Sequence, residues 1–250
     1  MVIIPARLNS SRLPEKLLRK LDGCPLLAVT YRRAKALVDK NIIDDVWIAT
    51  DSPKIQDALA QETTNILMTN PQHNSGTERI IETLPSFGHS KFINIQGDEP
   101  FFPQKAIEKI ANRLEHLQTG IVTCSSPLKS IDDFKDPNTV KVVTNPSGQA
   151  LYFSRASIPL NRDNPSDITH AQQHLGIYGY TRDVLQGWND LEIPELEKIE
   201  KLEQLRPLVA GIPIYVIEIE SSSRGVDTEA DLRWAQTFFS QANEENNEQS

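Results

Sequence analysis

Residues 91–100 read KFINIQGDEP. The apolar run Phe92 to Gln96 meets a glycine, two carboxylates and a proline, which predicts a buried central strand ending abruptly in Gly97-Asp98-Glu99-Pro100. Working outward, Pro103 to Leu117 carries Ala106, Ile107, Ile110, Ala111 and Leu114, the stripe of an amphipathic helix. Upstream, Met1 to Ile4, Val46 to Thr50 and Asn65 to Thr69 read as strands. Helical patterns follow Pro25, span Pro53 to Gln61 and run from Thr77 to Leu84. Alternating strand and helix predicts an α/β fold with a doubly wound, mostly parallel sheet.

The second half is more mixed. Ile121 to Leu128, Val140 to Val143, Ala150 to Phe153, His174 to Tyr180 and Ile214 to Ile219 read as strands, with a polar loop at Asn161 to Thr169. Leu196, Ile199, Leu202, Leu205 and Leu208 predict one helix over 194–210, and a closing helix is expected over 228–239. No Gly/Ser/Pro-rich linker divides the chain, so a single domain over 1–240 is expected, with an inserted mixed-sheet subregion near 120–180 and a frayed polar tail over 241–250.

The formal net charge of −8 disfavours nucleic acid and anionic membranes as partners, so an anionic ligand must meet a local cluster of cations or a metal. The N-terminal apolar run ends at once, and no stretch approaches the roughly 20 apolar residues that span a bilayer. Cys24 and Cys124 form no C-x-x-C pair and read as reduced thiols, so a cytoplasmic protein is expected.

Five constellations carry chemistry. The loop Pro5 to Lys16 follows the first strand, where α/β folds bind ligands. Its Arg7, Arg12 and Lys16, with two serine hydroxyls, suit a triphosphate, although neither a P-loop nor G-x-G-x-x-G pattern is present. Asp98, at a strand end, suits Mg²⁺, or is a turn acid that caps a helix or pairs with a lysine. Asp227, in Gly-Val-Asp-Thr before a helix, is by spacing a helix cap first and a metal ligand second. Ser75-Gly76-Thr77-Glu78-Arg79 opens a helix whose N–H groups can read a base or phosphate. Arg155, His174, Tyr178, Glu203 and Gln204 form a polar set in the second half, with His174 and Tyr178 on one strand face.

Taken together and in order, these residues resemble the 3-deoxy-manno-octulosonate cytidylyltransferases, the CMP-Kdo synthetases. The matching stretches include IPAR and SSRLP at the start, ATD at 49–51, SGTER at 75–79, NIQGDEP at 94–100, NTVKVV at 138–143, ALYFSRASIP at 150–159, HLGIYGY at 174–180, LEQLR at 202–206 and GVDT at 225–228. They span nearly the whole chain. The resemblance implies a Rossmann-like nucleotidyltransferase that moves CMP from CTP to Kdo for lipopolysaccharide synthesis, with Mg²⁺ as cofactor and a homodimeric assembly. It implies that Arg7, Ser11 and Lys16 hold the triphosphate, that Ser75, Gly76 and Gln96 line the nucleotide pocket, and that Asp98 and Asp227 bind Mg²⁺. Lys16, Asp98 and Asp227 would then be the catalytic set. Arg79, Arg155, His174, Tyr178, Glu203 and Gln204 would hold the acid sugar. One departure stands out: the family carries Gly before the loop lysine, and here the residue is Glu15. The rival readings are a cytidylyltransferase for 8-amino-Kdo or sialic acid, and a catalytically impaired paralogue.

Overall fold

Strand β1 (Val2–Ala6) is buried along its whole length, as an all-apolar run must be in a parallel sheet covered on both faces. The computed structural model describes residues 1–10, 12–21, 23–220 and 225–248. It divides into two units: residues 1–88, 94–104 and 223–250, and residues 89–93 and 105–222. The class is α/β with a mostly parallel mixed sheet.

In the first unit, β1 leads through a 3-10 turn at Lys16–Leu18 and a small hairpin, β2 (Lys20–Leu21) with β3 (Cys24–Pro25), into α1 (Leu26–Asp39). Next come β4 (Val46–Thr50), α2 (Pro53–Ala58), β5 (Ile66–Met68) and α3 (Gly76–Thr83). β1 pairs in parallel with β4, from Val2↔Val46 to Ala6↔Thr50, and β4 with β5, from Ile48↔Ile66 to Thr50↔Met68. All three strands therefore finish at the same edge, and the loops that follow them share it. Residues 94–98 approach that edge too. Ile95 N–H donates to the Ile3 carbonyl at 3.4 Å, and the Thr30 hydroxyl donates to the Gly97 carbonyl at 3.0 Å. Gly97 suits this packing: a Cβ would lie 3.0 Å from Leu27 Cδ1 and 3.3 Å from the Pro5 carbonyl oxygen, contacts that neighbouring atoms would have to yield to.

The second unit holds most of β6 (Lys91–Asn94) and α4 (Gln104–Glu115), then β7 (Ile121–Pro127), α5 (Ile131–Lys135), β8 (Lys141–Thr144), β9 (Ala150–Ser154), β10 (Gln172–Thr181), α6 (Arg182–Gln186), α7 (Glu195–Glu200), α8 (Leu205–Val209) and β11 (Ile214–Glu218). Here β11 runs parallel to β7, while β7–β10, β10–β8 and β8–β9 are antiparallel. The inserted region expected near 120–180 lies within this unit.

The helix predicted over 194–210 is two helices. Pro207 would clash with the carbonyl of residue 203 in a continuous helix, whereas a restart at Leu205 sets it in a first turn, where its missing N–H does no harm. The break falls at Lys201, left-handed at φ 53°. Arg206 rejoins the pieces by donating twice to Glu197, from Nε at 2.9 Å and Nη2 at 2.7 Å.

Helix α9 (Glu229–Glu248) returns to the first unit and continues through most of the polar stretch for which fraying is expected. Its Leu232 and Ala235 share a core with Val226, Leu21, Leu26, Val29 and Leu13 of the β1–α1 loop. Burying Leu13, about 1.5–3 kcal/mol for a full leucine side chain, anchors a loop that otherwise carries mostly polar groups.

Candidate functional site

The loops at the strand ends of the first unit enclose a pocket of about 450 Å³. Arg7, Lys16, Ser75, Gly76, Gln96, Asp98 and Asp227 all line it, and Arg79 does as well. Ser11 lies outside the described residues.

Lys16 is the hub. Its ammonium donates to Asp98 Oδ2 in a very short contact and to Asp227 Oδ1 at 2.8 Å. Arg12 Nη2 reaches the same Asp227 oxygen at 3.0 Å. Burial pulls the Lys16 pKa down, but the neighbouring Asp98 and Asp227 outweigh it and hold the group above its ordinary value, so it stays charged. The two aspartates are brought together by backbone: Val226 N–H donates to the Asp98 carbonyl at 2.9 Å. The capping role that spacing assigns to Asp227 falls instead to Thr228 and Asp231, which exchange cap hydrogen bonds (Asp231 N–H to Thr228 Oγ1 at 3.2 Å, Thr228 N–H to Asp231 Oδ2 at 3.0 Å).

Ser75 caps α3 by accepting from Glu78 N–H at 3.2 Å, and Glu78 reaches back to accept from Asn74 N–H at 2.8 Å, a capping-box arrangement displaced by one residue. Gly76 lets the helix start press on the first strand, since a Cβ there would lie 3.0 Å from Pro5 Cγ. Gln96 donates to Asn94 Oδ1 at 3.3 Å, which orients its amide. Arg79 is 2 % exposed; it donates to Asp51 Oδ2 at 3.0 Å and, in a very short contact, to Thr69 Oγ1. The other oxygen of Asp51 accepts from Leu8 N–H at 3.3 Å. Asp51 thus ties α3 to the start of the basic loop.

Glu15 adopts φ 50°, ψ 35°, the left-handed region that favours the glycine of the related family. Its side chain turns outward and accepts from Lys54 Nζ at 2.8 Å, with both partners largely exposed. The carboxylate therefore does not meet the pocket, where it is absent from the lining.

The residues expected for the second half gather in the second unit. Tyr178, Glu203 and Gln204 line a cavity of about 100 Å³ with Ile121, Tyr180 and Trp188. His174 packs its ring 5.3 Å from that of Tyr178, so both lie on one face. Parity survives because the bulge between Leu175 and Tyr178 inserts two residues. Thr123 Oγ1 donates into that bulge, to the Ile177 carbonyl at 2.8 Å or the Leu175 carbonyl at 3.1 Å, and shares a hydrogen bond with His174 Nε2 at 3.0 Å. Burial pushes the His174 pKa down to about 3, so the ring is neutral and is a hydrogen-bonding group rather than a cation. Arg155 spends Nε on the Glu200 carbonyl at 2.7 Å and Nη1 on that of Pro137 at 2.8 Å.

Sequence reasoning missed the supports. Arg12 stands in the basic loop but carries no signal that it would face Asp227. Glu200 accepts from Ser154 Oγ at 2.6 Å and Arg155 N–H at 2.9 Å. Lys141, fully buried, donates to the carbonyls of Asp136 (2.9 Å), Thr139 (2.5 Å) and Arg155 (2.8 Å). Glu200 lies outside every stretch quoted above, and Lys141, although it stands in NTVKVV, carries no mark there of burial against backbone carbonyls.

Asp98 and Asp227 also fit a hard divalent cation. Both carboxylates already converge on one positive charge, and among the described residues no third His, Cys, Asp or Glu joins them. Two carboxylates with the remaining positions left to water and phosphate suit Mg²⁺ and not a closed zinc site.

Comparison with known proteins identifies the family. A cytidylyltransferase family profile matches residues 1–219. The 3-deoxy-manno-octulosonate cytidylyltransferase of a Nitratiruptor species is 41% identical over 245 residues, covering 96% of this chain and 99% of that protein. That of Polynucleobacter necessarius subsp. necessarius is 43% identical over 240 residues, covering 93% and 92%. A solved structure of CMP:2-keto-3-deoxy-manno-octonic acid synthetase complexed with CTP superposes with a TM-score of 0.90 at 36% identity, over 96% of this chain and 98% of its own.

Proposed function

The chain belongs to the 3-deoxy-manno-octulosonate cytidylyltransferase family, and from that membership we infer that it joins CMP from CTP to the anomeric hydroxyl of Kdo and releases pyrophosphate. The product, CMP-Kdo, serves lipopolysaccharide synthesis. The observation that carries the reading is the convergence of Asp98 and Asp227 on one cation beside a basic loop, within a single pocket of α/β strand ends.

In this reading Arg7, Ser11 and Lys16 hold the triphosphate, and Ser75, Gly76 and Gln96 face the nucleoside. Asp98 and Asp227 hold Mg²⁺, which when bound supplies positive charge at the reacting phosphate and lowers the pKa of the sugar hydroxyl. The hydroxyl gives its proton to solvent as its oxygen attacks the α-phosphorus in line, the P–O bond to the β-phosphate breaks, and pyrophosphate leaves with the electron pair. Lys16 and Arg7 neutralise the charge that builds on the leaving group, an electrostatic role that needs no proton transfer. Arg155, His174, Tyr178, Glu203 and Gln204 hold the acid sugar, with neutral His174 and the Tyr178 phenol as hydroxyl partners. Arg79, also assigned to the sugar, contributes a fixed cation at the pocket wall.

A homodimer fits the distribution of exposed apolar side chains. Of the eight large hydrophobics exposed among the described residues, six (Leu151, Leu160, Ile193, Leu196, Ile199 and Val209) belong to the second unit. No helix among the described residues is long and apolar enough to cross a membrane, and both cysteines are free, which agrees with a place in the cytoplasm.

The test is pyrophosphate release from CTP and Mg²⁺ with Kdo, 8-amino-Kdo and sialic acid. Kdo is expected to give the highest kcat/KM. A higher value with another sugar moves the assignment to that sugar, and no release with any of them identifies an impaired paralogue.

A further inference from the structure

We propose that Lys16 gates the metal site: its ammonium, hydrogen-bonded to both Asp98 and Asp227, holds the place between them, and a divalent cation enters only after a triphosphate draws the lysine away. This rests on the reading of the two aspartates as metal ligands, and adds an order of loading to it.

Charge and geometry carry the argument. The ammonium hydrogen-bonds to both carboxylates at once, and Arg12 Nη2 takes the same Asp227 oxygen at 3.0 Å. Two negative charges are already matched by two positive ones. A cation approaching this cluster gains no net attraction and meets an ammonium at the point where it must bind. The Lys16 side chain is only 11% exposed, so water screens the repulsion poorly. Among the described residues no third acid supplies an alternative seat.

The gate is also built to move as a side chain alone. The Lys16 backbone is held in its 3-10 turn: Leu18 N–H donates to the Glu15 carbonyl at 2.8 Å, Arg19 N–H to the Lys16 carbonyl at 3.1 Å, and Leu17 beside it is buried. Four methylenes then let the ammonium swing from the carboxylates to a phosphate oxygen, while the loop stays in place. CTP brings a multiply charged anion that competes for the lysine and simultaneously supplies oxygen ligands to the incoming ion. Nucleotide and metal therefore bind with positive coupling, each opening the site for the other.

The test uses Mn²⁺ as the probe, titrated against the full-length protein without nucleotide and read by the loss of the free-ion EPR signal. Wild type is expected to bind weakly. Lys16→Met is expected to bind at least tenfold tighter, and adding Asp98→Asn to that variant should abolish the gain. Lys16→Gln, which keeps a neutral donor to the carboxylates, serves if the methionine variant does not fold, with the same tightening expected. Wild-type affinity equal to that of Lys16→Met or Lys16→Gln overturns the gate. A parallel titration with α,β-methylene CTP separates the two ideas. If Asp98→Asn loses Mn²⁺ relative to wild type there, the metal assignment stands whatever the gate does. If it loses none, the metal assignment itself falls, and the gate with it.

Discussion

The two candidate sites solve opposite electrostatic problems. The pocket of the first unit is charged and internally balanced: Lys16 and Arg12 neutralise Asp98 and Asp227, and Arg79 neutralises Asp51. The cavity of the second unit is small and walled by Tyr178, Tyr180 and Trp188, and its neighbour His174 is held neutral. A site for a polyanion must keep several like-charged groups close together before the ligand arrives, so it stores them as ion pairs. A site for a polyhydroxylated acid needs few charges and many fixed donors and acceptors, which aromatic packing and carbonyl contacts can lock.

The largest expected effect breaks the charged site. Asp98→Asn removes a carboxylate that the proposed function sets beside the reacting phosphate, and leaves Lys16 with one carboxylate partner. Turnover should drop on the order of a hundredfold or more, typical for losing a group that stabilises transition-state charge. Pyrophosphate release measures it directly, and near-normal turnover would remove Asp98 from the chemistry. Arg155→Ala tests the second site. If Arg155 contacts the sugar equally in ground and transition states, KM for Kdo should rise about tenfold with kcat changed little. Equal loss in both parameters for CTP and Kdo would instead make Arg155 a pure scaffold residue, bound to the Glu200 and Pro137 carbonyls.

The two sites were also unequally legible in the sequence. The pocket of the first unit is assembled largely from short runs that follow β1, β5 and β6, so each motif keeps its partners near a strand end that periodicity predicts. Even there the role of Asp227 could not be read from spacing. Its position before α9 looks like a cap, and only the fold brings it to Lys16 across 211 residues. The second site hides its logic in irregularities. Glu203 and Gln204 stand in the link between α7 and α8, a break set by Pro207 within a run whose leucines keep helical period. The shared face of His174 and Tyr178 is legible in their four-residue separation, but the two-residue bulge between them is not. Local rules fail where side chains are turned toward a cavity.

A smaller effect sharpens the contrast in protonation. The His174 ring titrates near 6.5 when unfolded and is pushed down to about 3 in the fold by burial. Below pH 6.5 the unfolded state therefore binds the extra proton. The stabilising contribution is complete above 6.5 and is lost as pH falls toward 3, at no more than about 1.4 kcal/mol per pH unit. Denaturant midpoints at pH 7 and pH 5 should differ less in His174→Gln than in wild type. An unchanged difference would show that the ring is not held neutral.

The smallest expected effect concerns Glu15, where the related family has glycine. A non-glycine residue in the left-handed region costs roughly 1 kcal/mol, and glycine would relieve it. The glycine variant would also lose the exposed pair with Lys54, worth about 0–1 kcal/mol, and would enlarge the freedom of the unfolded chain. These terms oppose one another, so Glu15→Gly should change stability by less than about 1 kcal/mol. Because the carboxylate points to Lys54 and away from the lining of the pocket, KM for CTP should also stay within about threefold of wild type, less than the tenfold that 1.4 kcal/mol would bring. A large gain in CTP affinity on restoring glycine would mean that Glu15 repels the triphosphate, and would revive the impaired paralogue; parity means the loop tolerates the substitution because the left-handed turn, not the absence of a side chain, is what sets Lys16 between its two aspartates.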